Sequence, residues 1–83
     1  MHTNYSIVDE HGKPSLIRIP KWVADVLQIV HADVHGWLQD IYNRVNQKYP
    51  DWTRRAKGDL VRSVAAREAN THPELRVSEL ELL

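Results

Sequence analysis

The stretch His31-Ala32-Asp33-Val34-His35 is the only one whose residue types and spacing suit a metal ion. On a continuous helix, His31 and His35 would share a face, with Asp33 nearby but off it. Two imidazoles are too few for a zinc site, and no cysteine or downstream His-x-x-x-His supplies the rest. The alternative is a polar junction between helices, and the chain is expected to bind no metal and no cofactor. Nothing else has the form of a catalytic centre: there is no thiol, no Gly-rich phosphate loop and no nucleophile elbow. Ser15 and Ser63 have no evident base, and Asp25 and Asp40 fall on separate elements. An enzyme is therefore not expected. The remaining chemistry is cationic. Arg54, Arg55, Lys57, Arg62 and Arg67 recur along one segment, and Lys13, Arg18 and Lys21 surround another. Such residues suit phosphate or an acidic partner, or simply a solvated face.

The 83 residues carry 11 Lys+Arg and 11 Asp+Glu, a formal charge of zero. The sum conceals a division. Residues 1–67 hold ten basic and seven acidic residues, whereas residues 68–83 hold Arg76 against Glu68, Glu74, Glu79 and Glu81. The body is thus +3 and the tail −3, and two bodies together would present +6. With no cysteine there is no disulfide staple, which suits a reducing compartment and a cytoplasmic location. A short chain with an aliphatic core and no staple is expected to self-associate. No apolar run approaches the ~18 residues of a membrane span, and no signal-peptide pattern is present.

Four segments follow. Residues 1–14 form an extension or hairpin strand: Tyr5-Ser6-Ile7-Val8 favours β structure and Asp9-Glu10-His11-Gly12-Lys13-Pro14 is a turn cluster. Residues 15–49 open with Ser15-Leu16-Ile17-Arg18-Ile19, where Ile17 and Ile19 alternate with Arg18 as in a half-buried strand. Pro20 suits a helix start. Val23, Val26, Leu27 and Val30, then Val34, Trp37, Leu38, Ile41 and Val45, follow helical spacing. Asp33 as an N-cap and Gly36 as a poor interior residue favour a break near residues 31–35 over one helix spanning residues 21–48. Residues 50–70 form a third helix capped by Asp51, with Ala56, Leu60, Val61, Val64 and Ala65 on its apolar side. Residues 71–83 are an acidic, Leu-rich tail, in which Thr71 and Glu74 fit a capping box and Leu75, Val77, Leu80, Leu82 and Leu83 could hold a partner. The expected fold is mainly α with a short N-terminal β segment. Whether residues 5–8 pair with 15–19 or a second chain does is open at this level.

Residues 15–49 resemble the ribbon-helix-helix family of dimeric DNA-binding proteins. The resemblance rests on Leu16-Ile17-Arg18-Ile19-Pro20, the amphipathic stretch that follows, and Asp40-Ile41-Tyr42-Asn43-Arg44-Val45. It implies two chains pairing their 15–19 strands, with Ile17, Ile19, Val23, Leu27, Val30, Trp37, Ile41 and Val45 in a shared core. It assigns Arg18 and Leu16 to base contact in the major groove. Lys13 and Lys21 would flank the ribbon and contact phosphates; Arg54, Arg55 and Lys57 of the third helix lie beyond the resemblance and are expected as phosphate contacts from their clustering alone. At the helix junction the chain departs from the family: no Gly precedes residue 36, and a carboxylate cap at Asp33 repels phosphate. A protonated His35 would offset that. The function so implied is a homodimeric transcriptional repressor on double-stranded DNA. The competing expectation is an antitoxin- or inhibitor-like module that captures a protein through residues 71–83. A third is an oligomer of one long helix.

Overall fold

The computed structural model describes residues 1–75. Two strands, β1 (His2–Val8) and β2 (Pro14–Pro20), precede three helices, α1 (Lys21–Val30), α2 (Val34–Lys48) and α3 (Arg54–Asn70), and a single 3-10 turn at Pro73–Leu75. The order, a two-stranded antiparallel ribbon followed by helices, is compatible with a ribbon-helix-helix topology.

β1 and β2 form an antiparallel hairpin in which Asn4 faces Arg18, Tyr5 faces Ile17 and Ser6 faces Leu16. Residues 15–19 thus find a strand within their own chain. The turn is built by Asp9. Its Oδ1 accepts from the amides of His11 (2.8 Å) and Lys13 (2.9 Å), while Gly12 N–H donates to the Asp9 carbonyl at 3.0 Å. Gly12 has φ +76°, a left-handed conformation that glycine takes without steric cost. Alternation then sorts the side chains. Tyr5, Ile7, Ile17 and Ile19 turn toward the helices, and Asn4, Ser6, Leu16 and Arg18 turn to solvent.

The break expected near residues 31–35 is present. His31 N–H closes α1 on the Leu27 carbonyl at 2.8 Å, and Asp33 Oδ1 caps α2 by accepting from Gly36 N–H at 2.9 Å. Residues 21–48 are therefore two helices and not one long one. Asp33→Ala is expected to cost about 1 kcal/mol, read as a shift in the urea midpoint at unchanged slope. Pro20 ends β2 and occupies the N-cap of α1, so the first helical amide, Lys21 N–H, donates to the Met1 carbonyl at 3.1 Å.

Two expected caps are corrected. Thr53, not Asp51, caps α3, its Oγ1 accepting from Ala56 N–H at 3.1 Å. The helix starts late because residues 49–52 form a turn: Trp52 N–H donates to the Tyr49 carbonyl at 3.1 Å, and the two rings stack at 4.1 Å. Thr71 opens no helix. Its hydroxyl donates to the Glu68 carbonyl at 2.7 Å, finishing α3, and Glu74 lies 3.7 Å from His72 instead of reaching back.

The core gathers Ile7, Ile17, Ile19, Val23, Val26, Leu27, Val34, Leu38, Tyr42, Val45, Val61, Ala65 and Ala69 with Ala24. Of the eight residues read as a shared two-chain core, Ile17, Ile19, Val23, Leu27 and Val45 are buried inside the single chain. Val30, Trp37 and Ile41 are half-buried at its margin. On α2 the buried stripe runs through Leu38 and Tyr42, about 100° around the helix from the Trp37–Ile41 side.

Candidate nucleic-acid interface

The outer face of the hairpin is the strongest candidate surface. Period-two alternation places Arg18 and Leu16 on it, with Asn4 and Ser6 directly opposite. Leu16 is 64 % exposed and its neighbour Val8 is 50 % exposed. Arg18 has no hydrogen-bond or ion-pair partner among the described residues. An unpaired guanidinium and an amide side by side on a solvent-facing ribbon can each make bidentate hydrogen bonds to a flat polar edge. Asn4 was not anticipated, because its short flanking run carried no apolar alternation strong enough to mark a strand.

The expected phosphate contacts separate into groups. Lys13 and Lys21 stand at the two ends of β2, and Lys21 also pairs with Asp25 at 2.7 Å along α1. Arg55 is exposed at the start of α3 without a partner among the described residues. Arg54 is half-exposed and reaches Asp9 Oδ2 at 3.3 Å. His35 turns inward to the hairpin: its Nε2–H donates to the Ser6 carbonyl, an orientation that serves the strand. Lys57 is corrected outright, being 1 % exposed and unable to meet a phosphate.

Lys57 anchors a polar cluster instead. Its Nζ donates to Asn46 Oδ1 at 2.7 Å, to Glu10 Oε1 at 3.3 Å and to the Pro50 carbonyl at 3.3 Å. Glu10 also accepts from the Tyr42 hydroxyl at 2.6 Å. One ammonium thus joins the hairpin turn, the end of α2 and the start of α3. Three donors satisfied by three acceptors is what a buried lysine requires. Sequence reading took Asp9 and Glu10 as turn residues and Lys57 as surface. The spacing between them, more than forty residues, leaves no local signal.

The cluster sets a pH dependence. The Tyr42 hydroxyl, the backbone amide of Glu10 and then Lys57 pull the Glu10 carboxyl from 4.5 down to about 2. Asp9 is lowered as well, chiefly by the Lys13 amide. Burial and the facing carboxylate push the Tyr42 hydroxyl upward. A carboxyl lowered by folding stabilises the folded chain above its unfolded value, and that contribution disappears as pH falls toward the folded value. Thermal stability is expected to decline between pH 4.5 and about 2, and a Glu10→Gln chain should show a flatter decline over the same interval.

His31 and His35 do not share a helical face. His31 is the C-cap of α1 and its ring stacks on Trp37 at 4.6 Å, whereas His35 belongs to α2. Among the described residues no group of three or more His, Cys, Asp or Glu could hold a metal ion. No described helix is long and apolar enough to cross a membrane. Of the expected partner-binding residues, Leu75 packs half-buried against the core, and Val77, Leu80, Leu82 and Leu83 lie outside the described residues. Comparison with protein-family models, with curated proteins and with solved structures gave no match to this chain.

Proposed function

We propose that the chain is a homodimeric DNA-binding repressor that reads the major groove with its β-ribbon. The observation that carries this reading is the solvent face of the hairpin, where Arg18 stands opposite Asn4 and Leu16 opposite Ser6. Arginine pairs bidentately with guanine, asparagine with adenine, and an apolar side chain meets the thymine methyl. A two-stranded ribbon fits the width of the groove. Lys13, Lys21 and Arg55 flank this face and supply phosphate contacts, with Arg54 where its pairing with Asp9 permits. A second copy, joined through the outer edge of β2, would set the two β2 strands side by side as the central pair that meets the groove and would double the positive charge.

The test is a selection from random duplexes followed by anisotropy titration across roughly 50–200 mM salt. One enriched sequence should bind far more tightly than a scrambled duplex, with affinity falling steeply as salt rises. Equal, weak binding of both duplexes at low salt would end this reading.

A further inference from the structure

α2 closes one edge of the hairpin. Gln39 accepts from Val8 N–H at 2.7 Å and donates to the Val8 carbonyl at 2.9 Å, and His35 donates to the Ser6 carbonyl. Along β2 no strand or side chain takes that role among the described residues, and a cavity of about 240 Å³ lies there between β2 and α3. Three arginines, Arg54, Arg55 and Arg62, line it together with Ser15, Ile17 and Gly58, and no carboxylate is among its described lining residues. Residues 54, 58 and 62 recur at four-residue intervals and so share one face of α3. Two of the guanidiniums also meet carboxylates outside the lining: Arg54 meets Asp9 at 3.3 Å and Arg62 meets Asp59. Arg55 is exposed and has no partner among the described residues, and neither has the Ser15 hydroxyl.

Two placements here are unfavourable for the folded chain by itself. Arg54 and Arg55 occupy the first turn of α3, where the helix dipole disfavours cations and no acidic residue offsets them. Gly58 sits inside the same helix, where glycine is poorer than alanine. Packing does not demand a glycine there. A Cβ at that position would meet Arg62 at 3.6 Å and Ile17 at 3.7 Å, ordinary contact distances. An anion in the cavity would offset the first cost, and the missing side chain leaves room for it.

We propose that this cavity holds the terminal phosphate of a small phosphomonoester. Such a group carries close to two negative charges at neutral pH and three strong acceptor oxygens. Three guanidinium forks and a hydroxyl match that demand, whereas a carboxylate offers fewer oxygens and a single charge. The phosphodiester of a nucleic-acid backbone also has a single charge and uses the site less fully. Under the reading in Proposed function, Arg54 and Arg55 meet the DNA backbone as well, so an occupied cavity would compete with the duplex. Only that consequence rests on that reading; the site itself does not.

The experiment titrates the full, isotope-labelled chain by NMR at neutral pH and constant ionic strength. The probes are inorganic phosphate, phenyl phosphate, dimethyl phosphate and acetate. The first two are expected to give saturable shifts concentrated at residues 15–17 and 54–62, binding at least about tenfold more tightly than the last two. Arg55→Ala and Arg62→Ala should each weaken phosphate binding about tenfold or more. Arg55→Lys should recover only part of the loss, because an ammonium keeps the charge without the fork. Arg67→Ala removes an exposed arginine of the same helix outside the cavity and should change nothing. Non-saturating shifts, equal affinity for acetate, or unchanged affinity in both Arg55→Ala and Arg62→Ala overturn the proposal. Dimethyl phosphate binding as tightly as phenyl phosphate assigns the cavity to a nucleic-acid backbone and overturns it as well. A selected duplex that binds a chain deaf to phosphate sinks this site alone; phosphate binding with no selected duplex sinks the repressor reading alone.

Discussion

Replacing Lys57 with alanine is expected to destabilise the chain by about 3 kcal/mol, the lower end of what breaking a buried ion pair costs. The lower end applies because Glu10 keeps contact with water while Lys57 has almost none. A domain of this size has roughly 4–12 kcal/mol in total, so the loss is a large fraction of it. Removing the ammonium leaves Asn46, Glu10 and the Pro50 carbonyl each short of a donor. Lys57→Met preserves most of the stem packing and isolates the polar part of the effect. Adding Glu10→Gln to Lys57→Met should recover part of the loss, because the stranded carboxylate is then gone. Urea denaturation of the four chains measures this. If Lys57→Met were as stable as the parent, the cluster would have no energetic role.

Arg18→Ala should leave stability unchanged and remove specific DNA binding. Arg18 is exposed and contacts no described partner, so its truncation disturbs no packing. A bidentate contact to a base is worth about 1–3 kcal/mol, and a dimer makes two. The combined loss of about 2–6 kcal/mol corresponds to at least ~30-fold in affinity. Lys21→Ala differs in kind: it should weaken binding to all duplexes alike and lower the salt slope. An Arg18→Ala chain that bound the selected duplex as tightly as the parent would remove the ribbon face from consideration.

Local chemistry determined a good part of this protein from the sequence alone. The hairpin turn was written in Asp9, Gly12 and Pro14. The helix break was written in Asp33 and Gly36, and the inward face of β2 in the alternation of Ile17 and Ile19. Each depends on interactions within about four residues, which is why residue type and spacing suffice. The placement of Arg18 and Leu16 on the solvent face followed from the same alternation. What only the tertiary structure decided were the long-range pairings. Residues 2–8 were found to close on 14–20 inside the chain, and Lys57 was found to be core instead of surface. Tyr42, not Ile41, lies in the buried stripe of α2, and its hydroxyl donates to Glu10. His35 and Gln39 seal one strand edge, and no described residue seals the other. These outcomes depend on which elements meet, and a lysine whose three acceptors come from three separate segments carries no mark of burial in its own neighbourhood. The zero net charge shows the same division. The sequence fixes that ten of eleven basic residues precede the acidic tail, but only the fold leaves Arg18 uncovered beside an open edge.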